Sequence, residues 1–259
     1  MTVFNPSLRV SDIFPKYEQI VFIDVETTGL SVEKNQIIEL AAARIYEYGA
    51  DFADEKEINF LIKLPAGEKV PDEIVELTRI TDEMLASEGI EKKEAAEKFS
   101  DLFYPAEKTL IIAHNAQFDL SFVLDLMKKQ GKTIPVSFDI LDTFTVLKDR
   151  KAYPHSLKDA IDYYKIEGAE NTHRAADDVK ALCEVVKCMK AEQDNLEDYI
   201  NLIGVHRVHG LWGERIEGVM YCIQLLGSKN KRLPDFLKEG KRIYEPEKVK
   251  ETRPLIFKE

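Results

Sequence analysis

Gln19-Ile20-Val21-Phe22-Ile23-Asp24-Val25-Glu26-Thr27-Thr28-Gly29 decides how this chain is read. Residues 20–23 are an unbroken apolar run, the pattern of a strand covered on both faces. Successive strand residues alternate sides, so Asp24 and Glu26 leave the end of the strand on the same side. Such a pair can cap a sheet, and it can also supply two ligands to one cation. Thr27-Thr28 follows, and Gly29 permits a turn that other residues resist.

Outward from this strand, 37–46 and 58–64 read as two more strands. Loops with charged and glycine residues separate them, as in an antiparallel meander. Pro71 suits the first turn of a helix, and 91–103 is a second, amphipathic helix. Thr109-Leu110-Ile111-Ile112-Ala113 returns as a buried strand with His114-Asn115 at its tip, and apolar residues recur at helical spacing from Phe118 onward. A strand over 136–141, a helix over 155–163 and a long helix capped by Thr172 and running to 192 complete an α/β pattern.

Beyond Asn195 the composition changes. The stretch 215–226 is strand-like, and 227–243 carries six Lys/Arg against two acids. This predicts a main domain over 17–194 and a small, basic, strand-containing extension over 195–259.

The 259 residues suffice for a proper core. A hydrophobic fraction of 44% and a charged fraction of 32% are those of a soluble globule. No apolar run reaches the ~18 residues of a membrane span, and the first 16 residues lack the pattern of an export signal. Three cysteines, Cys183, Cys188 and Cys222, make no disulfide framework. Buried small hydrophobes in a cytoplasmic protein, with no membrane partner, are the expectation. The net charge of −11 is unevenly divided: 195–259 holds 12 Lys+Arg against 10 Asp+Glu, leaving 24 against 37, or −13, in 1–194. A chain so acidic would hold long duplexes weakly and grip mainly a strand end.

Two further stretches extend the first: His114-Asn115-Ala116-Gln117-Phe118-Asp119 and His173-Arg174-Ala175-Ala176-Asp177-Asp178. Carboxylates are the ligands that hard Mg²⁺ or Mn²⁺ prefers, and two such ions about 3.5–4 Å apart can clamp a phosphodiester. A pattern such as His-Asn-x-x-Phe-Asp arises by chance on the order of once in a million positions. In their order, the three stretches resemble the motifs of the DEDDh branch of 3′→5′ exonucleases, a family that includes bacterial proofreading subunits, ribonuclease T and oligoribonuclease. The resemblance covers roughly 17–192.

The resemblance implies an RNase H-like exonuclease fold: a five-stranded mixed sheet, order 3-2-1-4-5, flanked by helices. It implies two Mg²⁺ or Mn²⁺ ions, with Asp24 bridging them, Glu26 and Asp178 completing the tighter one, and Asp119 holding the outer. His173 would be the general base. The family's spacing selects Asp178 over its neighbour Asp177, which points about 100° away on a helix. Thr27, Thr28, Gly29 and Leu30 would line the terminal nucleotide. His114 and Asn115 would touch its phosphate or sugar, with a structural hydrogen-bonding role equally open. Phe118 would meet a base or pack in the core. The implied partner is nucleic acid: the 3′ end of single-stranded DNA is favoured, RNA is the alternative, and a polymerase or replication partner is open. A catalytically silent binding module is disfavoured, because all five motif residues are kept.

One departure stands out. In Leu77-Thr78-Arg79-Ile80-Thr81, Arg79 occupies the family's Gly position, which predicts an altered turn or an arginine facing the substrate strand. His206 and His209 have the spacing of a metal pair but lack a third ligand, so packing or surface roles are expected. His155 is expected at a helix start. Lys229, Lys231, Arg232, Lys238, Lys241 and Arg242 form a basic cluster that would hold the substrate strand, form a solvated face or dock a partner.

Overall fold

In the computed structural model of the chain, the described residues are 9–46, 56–104, 108–168, 173–206, 210–211, 213–224, 232–241 and 243–244. Their elements run α1 (Val10–Ile13), β1 (Gln19–Thr27), β2 (Ile37–Tyr46), β3 (Lys56–Leu61), α2 (Asp72–Thr78), α3 (Asp82–Glu88), α4 (Lys92–Ser100), β4 (Thr109–Ala113), α5 (Ala116–Lys129), β5 (Phe138–Asp142), α6 (Thr143–Arg150), α7 (Leu157–Tyr164), α8 (Ala175–Glu192), a 3₁₀ turn (Leu196–Tyr199), β6 (Leu202–His206), β7 (Met220–Gln224) and α9 (Leu233–Lys238).

The expected sheet is present, in the order β3-β2-β1-β4-β5. β1 is antiparallel to β2 and parallel to β4, and β5 is parallel to β4. β1 is buried on both faces because its side chains divide between two cores. Ile20 and Phe22 join α1, α7 and α8, while Val21, Ile23 and Val25 join α4 and α5. Small residues allow α8 to lie close on the sheet: Ala41 and Ala43 of β2 share its core with Ala175, Ala181 and Cys183. The three cysteines are free and buried. Among the described residues, no helix is long and apolar enough to cross a membrane.

The segment after Asn195 forms a separate two-stranded parallel sheet, β6-β7. Leu202 and Cys222 enter the α8-side core, and Ile203, Val205 and Tyr221 enter the α5-side core. Asn201 stitches this sheet to β5: its N–H donates to the Ile140 carbonyl at 2.8 Å, and its side chain accepts from the Ile140 N–H at 2.9 Å. Gly204 donates to Thr145 Oγ1, and a Cβ there would stand 2.1 Å from Gln224 Oε1.

Several expected boundaries move. β3 begins earlier than residue 58, and α7 begins at Leu157 behind a Ser156–Asp159 capping box rather than at His155. Helices α3 and α6 were not anticipated; each is announced by a side-chain cap, Thr81 and Asp142. Thr172 lies outside the described residues, and the N-cap of α8 is Arg174. The turn after α2 is left-handed at its arginine. Arg79 takes the left-handed conformation itself, φ 63° and ψ 12°, and its N–H donates to the Val75 carbonyl at 2.9 Å.

A non-glycine residue held in the left-handed region is strained by roughly 1 kcal/mol or more. Arg79→Gly is therefore expected to raise stability by about 1 kcal/mol, read by urea denaturation. An unchanged or lowered midpoint would mean that the exposed Arg79 side chain contributes more than its strain.

Candidate active site

β1 pairs with β2 along its whole length but with β4 only from Gln19 to Phe22. Beyond Phe22 the parallel partners part, and a crevice at the carboxyl ends of strands, where the neighbour's direction switches, is the usual ligand site of an α/β sheet. Asp24 and Glu26 emerge there, on the side of Ile20 and Phe22. The strand-pair register shifts just after them, between Glu26 and Thr27.

Helix α8 supplies the opposite wall. Asp178 is buried in its first turn, while Asp177 is exposed. Glu26, His173 and Asp178 offer ligand atoms that all lie within 4.8 Å of one another. His173 precedes the helix with φ 51°. Asp119, buried in the first turn of α5, accepts the Val25 N–H at 3.2 Å, which ties it to the strand bearing Asp24 and Glu26.

These acids resist ionisation together. Burial, then the charges of Asp119, Asp178, Glu26 and Glu39, hold the Asp24 carboxyl well above the usual range. Burial and the Asp178, Glu39 and Asp119 charges push Glu26 up to about 8, against a small lowering by Arg174. Asp119 is also raised, chiefly by burial, although it accepts two backbone N–H groups. Burial lowers His173, and Lys158 adds to the effect. A crowd of oxygen donors that cannot ionise together is a donor set suited to hard divalent cations, whose charge would offset the repulsion.

Two buried acids outside the motifs hold this arrangement. Glu39 of β2, opposite Glu26 in the register, accepts Arg174 Nε at 3.1 Å and Nη2 at 2.9 Å. Its Oε2 also accepts the Ala175 N–H at 3.1 Å, so one carboxylate anchors the N-terminus of α8 to the sheet. Asp142 accepts the N–H groups of Asn115, Ala116, Phe144 and Thr145, which joins the start of α5 to the start of α6. A sequence signal exists for each: Glu39 is an acid inside a mostly apolar strand, and Asp142 is a strand-end acid before Thr-x-Thr.

The remaining expected residues fall in three groups. Thr27 and Thr28 shape the loop after β1: Thr27 Oγ1 donates to the Gly29 carbonyl at 2.7 Å, and Thr28 Oγ1 accepts the Gln36 N–H at 3.0 Å. A Cβ on Gly29 would stand 2.7 Å from the Asn35 amide. Leu30, half exposed, lines a cleft of about 380 Å³ together with Asn115 and Phe118. His114 stands apart, with Nδ1 3.0 Å from Thr143 Oγ1 and Nε2 2.8 Å from the His155 carbonyl. Both its ring nitrogens are engaged within the protein, which is the structural alternative and not a phosphate contact. Asn115 is left-handed, φ 76°.

His155 is buried, and its Nε2 lies 3.0 Å from the Lys151 carbonyl. His206 ends β6, and His209 lies outside the described residues. So do Lys229, Lys231 and Arg242 of the basic cluster. Arg232 is bonded to the Asp149 carbonyl, Lys241 pairs with Glu239 at 2.8 Å, and Lys238 lies 4.0 Å from Asp198.

A family model described as Exonuclease matches residues 21–186. The DNA polymerase III subunit epsilon of Treponema pallidum is 29% identical over 190 residues, 69% of this chain and 80% of that protein. The DNA polymerase III PolC-type of Clostridium perfringens is 30% identical over 184 residues, 68% of this chain, and the match spans only 12% of that much longer protein. Among solved structures, E. coli exonuclease I in complex with a dA16 oligonucleotide has a TM-score of 0.59 at 20% identity, covering 70% of this chain and 42% of that one. That last likeness is one of fold.

Two outcomes follow from the electrostatics. Because the folded site holds Glu26 near 8, the metal-free native state binds more protons than the unfolded chain above pH ~4.5, so this site's contribution to stability falls as pH rises towards 8. Melting temperatures in chelator from pH 5 to 9 are expected to decline across that window, with a shallower decline for Glu26→Gln and recovery on adding Mg²⁺. Equal slopes for the two proteins would remove the site as the cause. Separately, Glu39→Ala is expected to cost about 3 kcal/mol by urea denaturation, as for a broken buried ion pair. A loss below ~1 kcal/mol, the worth of an exposed pair, would show that α8 is held otherwise.

Proposed function

The chain belongs to the exonuclease family, in its DEDDh 3′→5′ branch, and from that premise we propose that it removes 5′-mononucleotides from the 3′ end of single-stranded DNA. The observation that carries the reading is the convergence of Asp24, Glu26, Asp119, Asp178 and His173 at one end of β1. Asp24, Glu26, Asp119 and Asp178 would hold two Mg²⁺ or Mn²⁺ ions. When bound, these ions supply charge neutralisation for the phosphate and acidify the attacking water.

The chain's own groups do the rest. His173 takes the proton of the attacking water, a role that needs a neutral imidazole; burial and Lys158, both lowering its pKa, favour that form at neutral pH. Water attacks the last phosphodiester in line, and the 3′-oxygen of the preceding nucleotide departs. Asp119, locked to Val25, and Asp178, locked through Glu39 to the sheet, keep the carboxylates in register while the strand end advances. Thr27, Thr28, Gly29, Leu30, Asn115 and Phe118 border the place of the terminal nucleotide, and DNA is preferred to RNA in this reading. Its relation to a DNA polymerase III subunit epsilon supports a role in replication or repair beside a polymerase partner.

Oligonucleotides of DNA and RNA labelled at either end test this directly. The expected ladder shortens from the 3′ end, favours DNA and stops with chelator; 5′-directed loss or endonucleolytic products would reject it. Asp24→Asn is expected to abolish cleavage while the fold persists. His173→Ala is expected to slow turnover by roughly 10²–10⁴, the usual worth of a general base. A His173→Ala enzyme that keeps the acid-side inflection of the wild-type rate profile would assign the proton to another group.

A further inference from the structure

The cleft of about 380 Å³ beside the carboxylates has walls from two parts of the chain. One wall is Leu30, Asn115, Phe118, Phe144 and Lys148; the other is the β6 segment Ile203–His206 with Gly210 and Leu211. The second wall lies beyond residue 186, where the family match ends. The lining is mostly apolar, yet it contains two aromatic rings and a cation. Phe118 is tilted against Phe122 at 4.9 Å, and Phe144 meets the edge of His114 at 5.6 Å. Lys148 Nζ lies 4.8 Å from the centre of the Phe144 ring and forms no ion pair among the described residues.

Three observations identify the occupant. The cleft is lined by residues that adjoin the candidate active site in the chain: Leu30 lies four residues after Glu26, and Phe118 immediately precedes Asp119. Its volume is that of a small-molecule site, roughly 300–1,000 Å³. Its chemistry, π-faces with one cation against an otherwise acidic neighbourhood, is what single-stranded nucleic acid requires: a surface for a base and a charge for a phosphate. A lipid would leave the ammonium of Lys148 without a partner.

Resting on the exonuclease reading above, we propose that the C-terminal extension completes a nucleotide-binding cleft that leads from the 3′-terminal nucleotide, bordered by Leu30, Asn115 and Phe118, to the nucleotide just upstream of it. Phe144 and Phe118 receive a base, Lys148 meets a phosphate, and β6 closes the far side. The extension is thereby a specificity element of the enzyme. It makes the acidic protein hold a strand by stacking rather than by a broad basic surface.

The test uses the full chain and dT12 oligonucleotides in which one abasic residue is moved stepwise from the 3′ end. Hydrolysis is followed as kcat/KM, and binding is followed by anisotropy with a non-hydrolysable 3′-terminal linkage. In the wild type, a loss of about tenfold, the worth of one stacked base, is expected at one position among the nucleotides next to the terminal one. In Phe144→Leu, which keeps an apolar side chain but no ring, that penalty should shrink to about twofold or less. Lys148→Gln should weaken binding and lower the salt dependence by about one phosphate contact. An equal penalty at that position in wild type and Phe144→Leu, or none at any position, overturns the proposal. If the wild type fails to shorten DNA from the 3′ end but the anisotropy pattern holds, the catalytic reading falls and the cleft is supported.

Discussion

Mutual repulsion among carboxylates is the constraint around which this molecule is built. Burial, and then the charges of neighbouring acids with Asp178 among them, raise the pKa values of Asp24, Glu26 and Asp119. Such a group disperses unless each member is tied elsewhere. Here the ties are separate for each member. Asp24 and Glu26 are fixed by the longest strand pairing of the sheet, Asp119 by the Val25 N–H, and Asp178 by a helix whose first turn is bonded to Glu39. The early parting of β1 from β4 leaves room at the one place where these ties converge.

The extension after Asn195 is bonded to the same frame and not hung from it. Asn201 occupies hydrogen-bonding groups of β5, Thr145 of α6 accepts from Gly204 and through its carbonyl from Gln224, and Tyr221 donates to Gln117 of α5 at 2.7 Å. Gln117 also donates to the Glu214 carbonyl. Helices α5 and α6, which lead directly from the strand ends of the site, are thus the same helices that carry β6 and β7. A shift in the extension would reach β5 through Asn201 and α5 through Gln117, which lies beside Phe118 and Asp119 in the chain.

Much of this was legible in the sequence. An apolar run that feeds both faces of a sheet has a strong signature, and the carboxylates that follow it two apart had to share a side. The residues that converge with them lie at motif spacings with little room for accident. What was not legible depends on tertiary context. Helix α6 follows β5 with no intervening loop, so periodicity alone did not separate them, and α3 is only seven residues long. Arg79 illustrates propensity overridden: a residue that resists positive φ takes it between the end of α2 and the buried Ile80. Glu39 was passed over because a charge within Ile-Ile-Glu-Leu-Ala has no partner until Arg174, 135 residues later, folds against it.

That last separation bears on when the molecule becomes competent. The contact of Arg174 with Glu39 spans more than half the chain, and Asn201 reaches back 61 residues to Ile140. Contacts of such long range form late, because the intervening loop must be closed before they reward the chain. During synthesis, which proceeds from the N-terminus at about 5–20 residues per second, β1 to β4 emerge and can pair while the fourth carboxylate is still to be made. The chain is therefore without its full set of acids until α8 docks. A hydrolytic centre that is complete only once α8 has docked is silent in every product, nascent or truncated, that ends before α8.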